Sequence, residues 1–249
     1  MRMPTLFVSH GAPTLAATRS PASDFLRSLS ARVPKPKAIL VVSAHWEEVR
    51  STLGLSAETI HDFYGFPKPL YELQYPAPVA HDVAQRGAAL LKGATAARGR
   101  DHGAWVPLLL AWPHADIPVV QLSLVGGATP HAHYEIGRSL MPLRNEGVLI
   151  VGSGSATHNL RALGEGAPAG WATRFIGWLD QTLAANDDDM LLDWQRAAPD
   201  ARMNHPTSEH FDPIFVARGA APGEPSTLLH ASYEFGSLAM NAYAFGALQ

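Results

Sequence analysis

Imidazole both ligates divalent metals and exchanges protons near neutral pH. This chain of 249 residues carries 12 histidines and no cysteine. Three of the histidines arrive directly after short apolar runs. Leu6-Phe7-Val8-Ser9 leads into His10, and Ile39-Leu40-Val41-Val42-Ser43-Ala44 leads into His45. Val148-Leu149-Ile150-Val151 leads, through Gly-Ser-Gly-Ser-Ala-Thr, into His158. Short, β-branched runs closed by small residues have the pattern of strands buried in an α/β sheet. In such sheets ligands sit outside the carboxyl ends of the strands. Three sequence-distant imidazoles brought to one such edge could hold a metal ion or move protons.

The other histidines divide by context. His102 follows Asp101, which is read as capping a turn and not as orienting the ring, because neighbours in an extended chain point opposite ways. His210 ends the stretch His205-Pro206-Thr207-Ser208-Glu209-His210, at the start of a helix expected over 209–217. From that helix it could complete a metal site, and Glu209 could replace it as a carboxylate ligand. His61 falls in an aromatic loop and His230 in the last hairpin, while His205 fits either core or site. His81, His114, His131 and His133 read as solvated or helix-face residues. Glu47, Glu48 and Asp62 read as supporting or surface groups. The Gly-Ser-Gly-Ser stretch lacks the lysine and the glycine spacing of nucleotide loops. Without thiolates, the donors suit zinc, iron, copper or nickel and do not choose among them.

These residues need a scaffold, and the pattern predicts a single α/β domain over residues 1–249. A central mixed β-sheet is flanked by helices on both faces, with the site at the strand C-terminal edge. Strands are expected near 6–9, 38–43, 52–55, 117–124, 147–151, 227–235 and 238–245. Helices are expected over 21–33, opened by Ser20-Pro21 as cap and first residue, and over 79–91, 131–143, 171–185 and 187–196. Residues 58–78 form a long loop rich in proline and aromatic residues, and loops of that length in compact domains are usually functional. The charged share is 16%, low against the usual ~25%, which suits a surface partly covered in a homo-oligomer. A net charge of -3 offers no basic field for nucleic acid or an anionic membrane. No run reaches the roughly 18 apolar residues of a membrane span. The sequence enters its first strand without a signal-peptide pattern, so a cytoplasmic protein is expected.

Several words of the chain, in order, resemble one family. They include Val8-Ser9-His10-Gly11-Ala12-Pro13, Val42-Ser43-Ala44-His45-Trp46-Glu47 and Thr59-Ile60-His61-Asp62-Phe63-Tyr64-Gly65-Phe66-Pro67. Asp101-His102-Gly103-Ala104-Trp105, Ser155-Ala156-Thr157-His158-Asn159-Leu160, Pro206-Thr207-Ser208-Glu209-His210 and Gly236-Ser237-Leu238-Ala239-Met240 continue the series. The set is similar to the 4,5-DOPA extradiol dioxygenase family, within the class III extradiol ring-cleaving superfamily. That resemblance implies insertion of O2 into a DOPA-like catechol with opening of the ring. It implies one divalent metal per chain, Zn2+ or Fe2+, held by His10, His45 and His210. His158 would reach the metal-bound substrate as acid–base or as a further ligand, and His102 would be a second catalytic histidine in contact with substrate. Phe63, Tyr64, Phe66 and Tyr71 would wall a pocket for a flat ring, with Glu209 as a further substrate contact. The wider superfamily uses two histidines and a carboxylate, whereas here the third position is a histidine. Zinc is redox-silent, so two alternatives stand beside oxygen chemistry. One is a zinc hydrolase with Glu209 or His158 as base, and the other is a metal-binding protein without turnover.

Overall fold

The apolar runs that precede His10, His45 and His158 lie side by side at the centre of one sheet. The computed structural model describes residues 2–248. Its strands are β1 (Thr5–Ser9), β2 (Ala38–Glu48), β3 (Thr52–Gly54), β4 (Ala94–Ala96), β5 (Val119–Val125) and β6 (Val148–Gly154), then β7 (Ser226–His230), β8 (Tyr233–Glu234), β9 (Leu238–Ala239) and β10 (Ala242–Phe245). Eight of them join in the order β4-β3-β5-β2-β6-β1-β10-β7, and β8 pairs with β9 apart from the rest. The core strands β5, β2, β6 and β1 run parallel. β10 and β7 complete one edge antiparallel, and β3 lies antiparallel to β5 at the other. The expected mixed sheet is present.

Helices α1 (Pro21–Ser28), α2 (His81–Leu91), α3 (His102–Ala111), α4 (Pro130–Asn145) and α5 (Gly170–Ala184) are followed by α6 (Asp188–Leu192), α7 (Trp194–Ala197), α8 (Ala201–Asn204) and α9 (Pro213–Gly219). Alternate strand residues point to opposite faces, and the core divides accordingly. Leu6, Val8, Ile39, Val41, Leu149 and Val151 pack with Phe25 and Leu26 of α1 and Val106 and Leu108 of α3. Leu40, Val42 and Ile150 pack on the other face with Leu140 of α4 and Val216 of α9. Phe7 joins Phe175 of α5 and Phe215 of α9 there. Ile39 to Val42 are entirely excluded from solvent, and each such aliphatic side chain contributes about 1.5–3 kcal/mol when buried. No helix among the described residues is long and apolar enough to cross a membrane.

Several elements differ from the sequence reading for identifiable reasons. α3 was not expected. All its residues but Leu109 are buried, so it shows no apolar stripe to betray the helical period. The helix expected over 209–217 begins at Pro213, where the fixed proline φ suits a first helical residue. Glu209 and His210 therefore stand in the turn before it. The helix expected over 187–196 divides into α6 and α7 at Asp193. The last two expected strands divide into β7 and β8 and into β9 and β10. His133 is 1% exposed and so belongs to the interior, because its ring nitrogen accepts the Val125 N–H at 3.3 Å.

Candidate metal centre and active site

β1 and β6 end together, with Ser9 opposite Gly154, and the pairing of β2 with β6 stops at the same level, with Ser43 opposite Ser153. His10 is the residue after β1, and its N–H donates to the Gly154 carbonyl at 3.0 Å. His45 lies where β2 departs from regular pairing. From Val42 to Glu47 that strand advances five residues (42 to 47) while β5 advances two (Leu122 to Leu124). Such a bulge re-aims side chains, and here it directs His45 toward His10. His210 arrives from the other face of the sheet. A Cβ on Gly152 would collide with the Pro213 carbonyl, and one on Gly154 with the His210 carbonyl. The Gly-Ser-Gly sequence thus makes room for the turn that carries His210, which is held by Ser155 N–H donating to the His210 carbonyl at 2.8 Å.

The nitrogens of His10, His45 and His210 that could ligate lie within 4.8 Å of one another. His10 Nε2 and His45 Nε2 are 3.1 Å apart. Donors sharing one ion at ~2.1 Å stand about 3–4 Å from each other, so the spacing fits. Proton positions follow from the outer partners. The Ser153 hydroxyl donates to the Gly103 carbonyl, so it accepts from His10 Nδ1 at 3.1 Å. Glu209 accepts from His210 Nδ1 at 3.0 Å. Burial opposes ionisation of Glu209, but the hydrogen bonds from His210 and Thr207 prevail and bring its pKa down to about 2. In both histidines the proton sits on Nδ1 and the Nε2 lone pair faces inward, the tautomer a metal requires. Burial and the neighbouring rings hold His10 well below its ordinary pKa, and burial lowers His210. Burial and His102 bring His45 to about 3. Unprotonated nitrogens facing one another at this range fit a divalent cation between them.

His102 and His158 flank this group. Asp101 caps α3 by accepting the Ala104 N–H and also accepts the Ser43 hydroxyl at 2.6 Å. As expected, Asp101 does not orient His102; Asp62 does so instead. Asp62 accepts the backbone N–H at 2.8 Å and Nδ1–H at 2.9 Å. The His102 ring centre lies 4.0 Å from that of His45 and 5.5 Å from that of His10. Gly103 permits this approach, since a Cβ there would sit 2.9 Å from His45 Cδ2 and 3.1 Å from His10 Cε1. His158 stacks on His210 with ring centres 3.5 Å apart and planes 7° from parallel. Its ligating atoms group with those of His210 and Glu209 but not with the trio of His10, His45 and His210. Burial and His210 bring its pKa to about 3. Asp62, read from the sequence as a supporting or surface group, supports His102, whereas sequence reasoning missed Ser153 and Gly103, because their value lies in contacts 50 to 143 residues distant along the chain.

The five imidazoles line a cavity of about 530 Å³ with Phe63 and Phe66 in its wall. Two other expected wall residues do not line it. Tyr64 points to solvent, 92% exposed, and Tyr71 packs behind Phe63 at 5.0 Å between ring centres. Glu209 is not among the lining residues and is engaged with His210 and Thr207. Sequence comparison then decides the family. The family described as the catalytic LigB subunit of aromatic ring-opening dioxygenase matches residues 3–246.

The chain belongs to this family. It is 42% identical to the 4,5-DOPA dioxygenase extradiol of Beta vulgaris, over 97% of this chain and 96% of that one. It is 38% identical to the protein of the same name from Escherichia coli K12, over 98% and 95%. A crystal structure of an uncharacterized protein, JW3007, from Escherichia coli K12 superposes with a TM-score of 0.82 at 33% identity, covering 98% of this chain and all of that one. This LigB-family chain is an extradiol dioxygenase, an enzyme that opens aromatic rings.

Proposed function

We propose that this dioxygenase cleaves a catechol and that His10, His45 and His210 hold a divalent iron ion for the purpose. The observation that carries the reading is the convergence of imidazole nitrogens, fixed from behind by Ser153 and Glu209, at an aromatic-walled cavity. Divalent iron, when bound, supplies Lewis acidity toward the catechol oxygens and an electron route between ring and dioxygen. The chain's own residues do the rest. The walls exclude water and hold a flat ring. His158, unprotonated at neutral pH and outside the trio, accepts a catechol hydroxyl proton and returns it as the ring opens. His102, its Nδ1–H held by Asp62, keeps a lone pair on Nε2 to accept a second substrate hydrogen bond.

Zinc hydrolysis with Glu209 as base fits less well, because that carboxylate is committed to His210 and Thr207. Anaerobic loading with iron(II), followed by catechol and air, separates the readings. Uptake of one O2 per catechol with a yellow ring-opened product is expected. Ester or amide hydrolysis by the zinc form, without O2 uptake by the iron form, would overturn the reading.

A further inference from the structure

His45 stands in the bulge of β2, where Ala44, His45 and Trp46 have no register partner on β5 or β6. The ladder that fixes the backbone elsewhere in the sheet is therefore interrupted at this histidine. Both backbone polar groups of His45 are nevertheless engaged. Its N–H donates to the Ser43 hydroxyl oxygen at 3.2 Å, and its carbonyl accepts from Arg98 Nη2 at 3.4 Å. The two side chains that hold it meet at one residue. The Ser43 hydroxyl donates to Asp101 Oδ1 at 2.6 Å, and the same Arg98 nitrogen donates to Asp101 Oδ2 at 3.5 Å. Trp46, the next residue of the bulge, lies under the Arg98 guanidinium, whose carbon is 5.0 Å from the ring centre, a favourable stacking of cation on ring.

Asp101 itself is wholly excluded from solvent. Gln121, on β5 opposite Val41, accepts the Asp101 N–H through Oε1 at 3.2 Å and donates from Nε2 to Asp101 Oδ2. The Ala104 N–H donates to Oδ1 at 3.2 Å. The two carboxylate oxygens thus gather donors from β2, from β5, from Arg98 and from the first turn of α3. Capping a helix requires one oxygen, and asparagine or serine supplies it as well as aspartate does. The bonds to Ser43, Gln121 and Arg98 go beyond the cap. They join the His45 backbone to the start of α3, the segment whose Gly103 closes on the His45 and His10 rings. A buried network of this kind rigidifies what it joins, and leaving one of its members unpaired is costly.

Resting on the reading of His45 as a metal ligand, we propose that Asp101 is a positioning residue for the metal centre. Through Ser43 and Arg98 it fixes the backbone of His45, and through the cap of α3 it sets that ligand's place beside His102. Three variants test this. Asp101→Asn keeps an oxygen for the Ala104 N–H but sets an NH2 group among donors. Ser43→Ala leaves Asp101 and its cap in place and cuts the link to the His45 N–H. His45→Ala removes the ligand. Zinc affinity is read by competition with a chelating indicator, ligand geometry by the visible absorption of cobalt(II)-loaded protein, and folding by circular dichroism and urea unfolding of metal-free protein. Groups that support a ligand from behind typically contribute ~10–100-fold to metal affinity. The Kd for zinc should rise by that factor in Asp101→Asn and by about tenfold in Ser43→Ala, with the cobalt bands of both displaced from those of the parent. A role confined to capping α3 would lower the urea midpoint of Asp101→Asn and leave affinity and cobalt bands of both variants at parent values. That result would overturn the proposal. If Asp101→Asn does not fold, Ser43→Ala decides by the same two readings. His45→Ala separates the proposal from the reading beneath it. Parent affinity in that variant would overturn the ligand assignment itself, whereas loss of zinc there, with Asp101→Asn and Ser43→Ala unchanged, would overturn the positioning role alone.

Discussion

Two sets of buried histidines occupy this molecule, and only one of them forms a site. His133 and His205 lie in the interior, and burial lowers their pKa values to about 4 and about 3. Those values overlap the ones at the cavity. His205 donates from Nε2 to the Ala156 carbonyl at 3.0 Å and packs among Phe175, Trp194 and Phe211. His133 uses one nitrogen on the Val125 N–H. Neither ring packs against another imidazole among the described residues: His133 Nδ1 faces Asp212 Oδ1 at 4.0 Å, and the rings packed on His205 are those of Phe175, Trp194 and Phe211. Among His10, His45, His102 and His210, five pairs of ring centres instead stand 4.0 to 5.5 Å apart, and the outer nitrogens of His10, His102 and His210 are tied back to Ser153, Asp62 and Glu209. Burial and a depressed pKa therefore do not mark a site. Convergence of unpaired nitrogens does.

The largest effect that tests this contrast is loss of the metal. His45→Ala removes one of three nitrogens and should reduce metal content from one ion per chain to none, with complete loss of dioxygenase activity. His133→Ala should retain the ion. Elemental analysis with circular dichroism as a folding control reads both. Full metal occupancy in the His45 variant would mean that the ligand set is misassigned.

Next in size is His158→Asn. A general acid–base group contributes ~10²–10⁴-fold to rate, so kcat should fall by that factor while metal content stays at one per chain. If the ion leaves with the side chain, the stacked imidazole is a fourth ligand and the division of labour between it and His210 is wrong.

The same contrast explains how much of this could be read from sequence. The central strands were legible because their apolar runs are short, β-branched and continuous, and His10, His45 and His158 follow from their ends. His210 was read as able to complete a metal site, and the family words gave it and His102 their places beside the other three. What escaped depends on folding. α3 is apolar on all sides and offers no periodicity. Tyr64 and Phe63 are adjacent and chemically alike, yet one faces solvent and the other the cavity. His133 and His131 share one helix, and only packing against Val125 makes the first a core residue. Asp62 and Ser153 act across the fold, where spacing along the chain carries no signal.

Asp62→Asn tests that cross-fold support. The carboxylate accepts two hydrogen bonds from His102, and hydrogen bonds of this kind also lower its own pKa against the opposing effect of burial. An amide can present its NH2 to the ring nitrogen and favour the other tautomer. Loss of such an orienting partner typically costs ~10–100-fold, so kcat/KM should drop by that factor with metal retained. Activity within twofold of the parent would show that His102 needs no orientation.

The smallest expected effect belongs to the second histidine set, and it is one of stability. His205 has a folded pKa of about 3 against ~6.5 in an unfolded chain. Between those values the unfolded state binds a proton that the folded state refuses. Stability therefore rises with pH through this window and falls on acidification, by up to about 1.4 kcal/mol per pH unit for this one group. His205→Gln keeps a donor for the Ala156 carbonyl and removes the titration. Its stability should be lower than that of the parent at pH 7, where the packing of the ring among Phe175, Trp194 and Phe211 is lost. The gap should then close as the pH falls from 6 to 4.5, because only the parent carries the His205 contribution to the slope. Urea denaturation of metal-free protein at several pH values reads the difference and removes metal release as a competing cause. Parallel curves would mean that His205 takes up its proton inside the fold, and that isolation in an aromatic core does not suffice to keep an imidazole neutral.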